Sequence, residues 1–516
     1  MWRSGGGYPV EPLEVSMDSE AKITPILIIS CLMVATAGLV FGYDLGNSGG
    51  VTSMDDFLKK FFHSVYVRKI EHNYVQKSKY CIFNSQTLQV FTSSLYLAGI
   101  IATFFASYTT RHLGRKLTIV AAGFFFIIGV IFGAAAQNLG MLIIGRIFLG
   151  CGVGFANQAV PLFLSEVAPA KIRGGLNILF QLNVTVGILF AYLVNYGAAK
   201  IHPWGWRLSV GATGIPAFVL ILGALVVDDT PTSLIERGCL QEGKAVLKKL
   251  CGTDNIESEL KEIIEATRVA QQVKRPFREL LKRHNRPPLV IAIFLQIFQQ
   301  LTGMNAILFY SPVLFISLGL GNDASLYATV ILGSVFVLAT LVSIYFVDEA
   351  GRRLLLLEAG VQMFVSLVMI TAVLRWHVIG KSGNLSHGTA LILVVLICTF
   401  VAAYAWSWGP LGWLIPSEVF QLETRSAGQS VTVCVNLLFT FLIAQASLSM
   451  LCHLQYGIFA FFSGWVVVMT VFVYFFLPET ENVPIEDISD KVWKNHWFWK
   501  RFIDDDRIPK TSVIVP

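Results

Sequence analysis

Residues 145–173 read GRIFLGCGVGFANQAVPLFLSEVAPAKIR, and this stretch decides the architecture. It opens on Gly145-Arg146, stays apolar to Leu164, and closes on Ser165-Glu166-Val167, with Arg173 seven residues after Glu166. A bilayer is crossed by about 20 mostly apolar residues, which residues 140–163 supply. The closing motif recurs as Ser417-Glu418-Val419, with Arg425 seven residues after Glu418. A second pair, Gly114-Arg115-Lys116 and Gly351-Arg352-Arg353, recurs in the same order. Two motifs in register at equivalent loops argue for duplication rather than chance.

Working outward, twelve spans are expected, at roughly 23–46, 88–108, 117–136, 140–163, 176–196, 207–227, 288–316, 325–347, 354–375, 389–415, 427–450 and 456–477. The composition agrees. Of 516 residues, 54% are hydrophobic and 14% charged, and the mean hydropathy is +0.64. Soluble proteins are about 25% charged. A chain this apolar is excluded as a soluble globular enzyme, a disordered protein or a nucleic-acid binder. Residues 1–22 lack an apolar core and do not read as a signal peptide, so the first span is expected to act as its own insertion signal.

The segment 228–287 carries twelve Lys/Arg. It reads either as a plain linker or as amphipathic helices docked under the bundle, for example Gly243–Leu250 and Glu257–Gln271. Its basic residues, Arg111/Arg115/Lys116, Lys171/Arg173, Arg352/Arg353 and a basic tail all fall on one side. By the positive-inside rule that side is cytoplasmic, and so are both termini. The expected organisation is a tail at 1–22, a six-helix half at 23–227 with an extracellular lid at 51–87, linker helices at 228–287, a second half at 288–477 and a tail at 478–516. Six plus six helices in parallel halves is the all-α major facilitator architecture, with substrate held at the midplane between halves. A twelve-span channel would need no such repeat.

Ionisable residues inside the spans are scarce. Asp44 lies near the outer end of the first span and Arg146 about one and a half turns into the fourth. The first span runs outward and the fourth inward, so both charges sit at similar depth. An intramembrane charge is a functional hypothesis by default, with its partner named. Burial favours the neutral acid and a neighbouring guanidinium favours the carboxylate. A change in their separation would therefore link proton binding to substrate binding. The alternative is a static structural pair, although lone buried pairs are poor sources of stability. Arg115, Glu166, Arg173, Arg352, Glu418 and Arg425 lie at inner helix ends, as solvated charge or as salt bridges between the halves. The glycines at 145, 150, 152 and 154 read as close-packing positions rather than a phosphate loop.

The seventh span holds Gln296, Gln299, Gln300, Thr302 and Asn305 near helical spacing. The fifth adds Gln181, Asn183 and Thr185, and the eleventh Asn436 and Thr440. The tenth holds Trp406, Trp408 and Trp413 in a Gly/Pro-rich run expected to break that helix. Neutral amides donate and accept at once, as hydroxyl groups require. Aromatic faces pack on the C–H face of a sugar ring. The cluster points to an uncharged sugar; for any single Gln or Asn, interhelical hydrogen bonding is the simpler reading.

The chain resembles the sugar porter family of the major facilitator superfamily, and more closely the plant sugar-transport proteins, which are proton/monosaccharide symporters. The motifs are Phe41-Gly42-Tyr43-Asp44, Gly49 to Met54, Gly145 to Arg173, Gln299 to Asn305, Trp406 to Trp413 and Pro478-Glu479-Thr480. The resemblance implies that Asp44 carries the proton beside Arg146. It implies that Gln181, Gln299, Gln300, Asn305, Trp413, Asn436 and Thr440 contact sugar, with Ile188 and Phe41 as apolar wall. It implies a lid joined to the second half by a disulfide, Cys81–Cys452. Of the eight cysteines only these two fall in outward segments, where an oxidising exterior favours the bond. Departures are Phe336, where relatives carry a sugar-contacting Asn; Asn47, placed to bond the Asp44 carboxylate; and Glu349, Glu481, Thr110 and Asp228. Asn384-Leu385-Ser386 is a sequon in an outer loop.

The expected function is proton-coupled import of hexoses such as glucose across the plasma membrane by a monomer in the lipid bilayer. A facilitated uniporter and a transport-deficient sugar sensor are the alternatives. No enzyme activity, cofactor, metal or nucleic-acid partner is expected.

Overall fold

Among the described residues, twelve helices are long and apolar enough to cross a membrane. They are α1 (Pro25–Ser53), α2 (Gln86–His112), α3 (Arg115–Ala134), α4 (Leu139–Val167), α5 (Gly174–Ala198), α6 (Gly205–Val226), α7 (Arg283–Ile316), α8 (Asp323–Val347), α9 (Arg352–Trp376), α10 (Gly388–Val419), α11 (Glu423–Leu454) and α12 (Gly457–Phe476). The computed structural model describes residues 24–72, 81–168, 172–253, 256–273, 275–317, 322–379, 387–480 and 492–503. The sequon at Asn384 and the side chain of Arg173 lie outside the described residues. Among the described residues there is no strand.

The internal repeat is visible in the packing. In the first half α1 packs on α5, α2 and α3 on α4, and α3 on α6. Six helices later α7 packs on α11, α8 and α9 on α10, and α9 on α12. The halves meet through α2 with α11 and α5 with α8, two interfaces related by the same shift of six. Small residues let these backbones approach. A Cβ on Gly150 of α4 would lie 2.1 Å from the Leu95 carbonyl of α2, so any side chain there would force the helices apart.

Two spans are broken. α10 breaks at Ser407, whose φ/ψ of −132°/−86° is not helical. A new helix then starts at Trp408. Pro410 sits in its first turn, where a missing N–H costs nothing. α7 breaks at Thr302–Gly303, which the sequence reading did not anticipate. Gly303 takes φ +86°, and a Cβ there would lie 2.5 Å from the Phe462 ring. Both demands select glycine.

α1 runs to Ser53, seven residues beyond the expected end. Its polar side chains bond back into the helix: Ser48 donates to the Asp44 carbonyl at 2.9 Å and Thr52 to the Ser48 carbonyl at 2.9 Å. That local satisfaction lets a polar turn stay helical. After it come two lid helices, Asp55–Phe61 and His63–His72. On the opposite face, short helices at Pro231–Glu236, Leu240–Cys251, Glu257–Gln272 and Pro276–Leu280 dock against the bundle. Thr24 donates to the Leu250 carbonyl at 2.9 Å and Arg111 to the Val273 carbonyl at 3.2 Å. Glu257–Gln272 and Pro276–Leu280 also pack on α11, so the segment bridges both halves.

Candidate functional site

Asp44 of α1 and Arg146 of α4 form a buried ion pair through Oδ1 and Nη1. The second Arg146 nitrogen, Nη2, donates to Ser48 Oγ at 2.8 Å. Asn47 turns instead toward Ser209, whose hydroxyl donates to Asn47 Oδ1 at 2.5 Å and also to Asn195. The residue that joins the pair is thus Ser48, one turn after Asp44 on the same helix face. The carboxylate and guanidinium neutralise each other where neither is solvated, so the pair stands or falls together.

The amides of α7 bond in two sets, Gln296 and Gln299 with α10 and α11, and Gln300 with Asn305. Asn436 Nδ2 donates to Gln296 Oε1 at 2.6 Å and to Gln299 Oε1 at 2.8 Å. Gln299 Nε2 donates to the Trp408 and Gly409 carbonyls at 3.0 and 2.9 Å, in the first turn of the helix that restarts after Ser407. Gln296 Nε2 donates to the Gly412 carbonyl, and Asn305 Nδ2 to Gln300 Oε1. Thr440 donates to the Asn436 carbonyl at 2.8 Å. The first half closes over this network with Gln181, whose Nε2 lies 3.3 Å from where a Gly409 Cβ would be, and with Phe180, edge-on to Trp413 at 6.2 Å. Ile188 and Phe41 are buried, Ile188 against Gly46 of α1. Phe336 is buried edge-on to Tyr404 at 6.1 Å.

Not every residue read as part of the stripe is there. Trp408 donates to the Leu356 carbonyl at 3.2 Å and Trp406 to Glu358 at 3.2 Å, both on α9. The break at Ser407 turns them outward and leaves Trp413 facing the first half. Asn183 and Thr185 bond back to α5 carbonyls, Leu179 and Leu182, at 2.9 and 2.8 Å.

At the face carrying the docked short helices, the described ion pairs of this set close within each half. Arg115 pairs with Glu166 at 2.7 Å and with Glu236 at 2.7 Å. Arg352 pairs with Glu418 at 3.2 Å. α3 packs directly on α4 and α9 on α10, which brings each arginine to its own carboxylate. Thr230 caps Glu166 at 2.6 Å, and Glu479 accepts from the Arg352 and Arg353 backbone at 3.0 Å each. Arg425 donates to the Ser417 carbonyl at 3.2 Å and lies within electrostatic reach of Glu166. Neutral bonds also join the halves: Asn177 to Ser417 at 2.8 Å, Gln158 to the Ser426 carbonyl at 3.1 Å and Gln429 to the Asn157 carbonyl at 3.3 Å.

The lid face is closed too. Cys81 and Cys452 are disulfide-bonded, which ties the lid to α11. Ser93 and Gln86 of α2 bond Gln445 of α11 at 2.8 and 3.2 Å. Tyr192 of α5 contacts Ser311 of α7 at 3.2 Å. With both faces joined, the amide network and the Asp44–Arg146 pair are enclosed.

Comparison with known proteins places this geometry. The family model described as Sugar (and other) transporter matches residues 30–492. Sugar transport protein MST4 of Oryza sativa subsp. japonica is 70% identical over 500 residues, 97% of this chain and 96% of that protein. Sugar transport protein 13 of Arabidopsis thaliana is 67% identical over 503 residues, 97% and 95% of the two chains. Among solved structures, the proton:xylose symporter XylE bound to 6-bromo-6-deoxy-D-glucose aligns with a TM-score of 0.77 at 23% identity, covering 90% of this chain and 99% of that one. The inward open conformation of the xylose transporter XylE from E. coli aligns at 0.68 and 22% identity, covering 90% and 99%.

Proposed function

Since the chain belongs to the sugar (and other) transporter family, we propose that it is a monomeric plasma-membrane importer that moves hexoses together with protons by alternating access. One observation carries the coupling: a carboxylate buried near the outer end of a span, Asp44, held by a buried arginine on another helix of the same half. A proton on Asp44 removes the charge that holds Arg146 and frees the two helices to shift. The relatives' names supply the substrate class, and the amide network supplies its chemistry. Asn436 bonds Gln296 and Gln299, and Asn305 bonds Gln300. A polyhydroxyl ligand that both donates and accepts can replace those bonds one for one.

The face with the short basic helices is cytoplasmic in this reading, and the lid is extracellular. External protonation and sugar binding favour rocking of the halves about the α2–α11 and α5–α8 interfaces. The cytoplasmic bonds Asn177–Ser417, Gln158–Ser426 and Gln429–Asn157 then part, and sugar and proton leave inside. The cost of parting neutral bonds is modest, about 1 kcal/mol each, which suits a gate that opens every cycle.

The test is labelled glucose uptake in yeast lacking its own hexose carriers, at pH 5 and pH 7.5, with and without a protonophore. Acid-stimulated, protonophore-sensitive uptake is expected, with loss of both traits in Asp44→Asn. Uptake indifferent to pH and to the mutation means a uniporter. Absence of uptake with the protein at the surface means a sensor.

A further inference from the structure

Arg146 has a contact beyond Asp44 and Ser48. Its guanidinium lies over the ring of Phe91 on α2, 4.2 Å from the centroid. Phe91 is buried, and lid residues hold its outer side: Phe57 at 5.5 Å and Phe62 at 6.0 Å between centroids. Phe57 packs in turn on Trp206 of α6 at 5.8 Å. A continuous aromatic stack therefore runs from the lid to the arginine.

An aromatic face attracts a cation and repels an anion. While Asp44 is ionised, the ring faces a nearly neutral pair and the two effects offset. Once Asp44 takes a proton, Arg146 is a buried cation without its counter-charge, a costly state. The ring then acts at full strength. The geometry points to Phe91 as a positioning residue of the proton switch: its ring face receives the Arg146 guanidinium when Asp44 is protonated, and the lid residues Phe57 and Phe62 hold that ring in place. This rests on the proton-coupled reading of the Asp44–Arg146 pair.

The other titratable groups around the pair are phenols: Tyr43 beside Asp44 on α1, Tyr96 on α2 and Tyr310 on α7. Tyr43 donates to the Ser209 carbonyl at 2.7 Å and Tyr310 to the Ala444 carbonyl at 3.0 Å. All three stay neutral between pH 5 and 8. On the lid helix the charges face outward: Asp55 pairs with Lys69 at 2.8 Å, Asp56 with His202 at 2.5 Å, and Lys60 donates to the Ala136 carbonyl at 3.2 Å. The variants below share all of these lid residues with the unaltered protein.

The test is glucose uptake against external pH in the same yeast, with surface abundance measured by a fluorescent fusion. Three variants are compared: Phe91→Leu, Phe91→3,4,5-trifluorophenylalanine by suppression, and Asp44→Asn. Fluorination keeps the ring's shape and packing and cancels its negative face. Both Phe91 variants are expected to need more acid, with the half-maximal pH lowered by about half to one unit. A trifluoro profile that superimposes on that of the unaltered protein overturns the inference, whatever the leucine variant does, because the ring then only packs. If Asp44→Asn keeps the full pH dependence, the proton reading beneath the inference fails instead.

Discussion

The side-chain amide of Asn436 donates to two glutamines of α7 at once, Gln296 at 2.6 Å and Gln299 at 2.8 Å. Three helices meet at this point, since Gln299 also donates to the Trp408 and Gly409 carbonyls of α10. Asn436→Leu leaves both glutamine oxygens buried without a donor and removes a group offered to the sugar. At about 1–3 kcal/mol for an unsatisfied buried group, glucose KM is expected to rise about tenfold or more. Proton sensitivity is expected to stay, because Asp44 is untouched. Uptake kinetics at pH 5, with and without protonophore, check both parts.

The disulfide joins positions 371 residues apart, the lid to α11. If its role is only this tie, losing one sulfur is as harmful as losing both. Cys81→Ala, Cys452→Ala and the double variant are expected to lower the unfolding temperature of the purified protein equally. Additive losses would mean that each cysteine acts separately.

Arg115 holds two carboxylates, Glu166 and Glu236, with Thr230 on the far oxygen of Glu166. Breaking such a buried cluster from one side costs about 3–5 kcal/mol, because a charge is left uncompensated. Arg115→Gln is therefore expected to be markedly less stable than Arg115→Gln/Glu166→Gln. Thermal unfolding in detergent measures the order. A double variant worse than the single one contradicts it.

Cys251 and Cys239 differ in environment within the same docked segment. Burial, then the nearby Glu259 carboxylate, pushes the Cys251 thiol up to about 12. A raised value favours the neutral thiol, so at pH 8 roughly one in ten thousand molecules carries the reactive thiolate. Cys239 is exposed. Brief maleimide treatment at pH 8 is expected to label Cys239 and spare Cys251, read by peptide mass. Equal labelling would mean that the segment does not dock as described.

The sequence reading went furthest where the bilayer makes a residue conspicuous. Asp44 and Arg146 were visible because charges inside spans are rare. The α7 amides were visible because they recur at helical spacing in an otherwise apolar segment. The short helices were periodic enough to be expected, but nothing local told a docked segment from a plain linker. Glu236, Thr230 and Glu479 were missed as partners of Arg115, Glu166 and Arg352, because they reach them from segments distant in sequence. The α7 break was missed because the amides run on at near-helical spacing across it and only the φ of Gly303 marks it. Trp406 and Trp408 were grouped with Trp413, but the backbone break resets the helical phase and they bond α9 instead. Phe91 is one of 38 phenylalanines, and only its place under Arg146 distinguishes it.

The central claim is that Asp44 couples the proton gradient to sugar movement. Its most direct test is purified protein in liposomes, with labelled glucose measured under an imposed inward proton gradient and, separately, as exchange without a gradient. The account predicts that the unaltered protein concentrates glucose above its external level and that Asp44→Asn exchanges glucose but never concentrates it. Gradient-driven accumulation by Asp44→Asn would contradict the account.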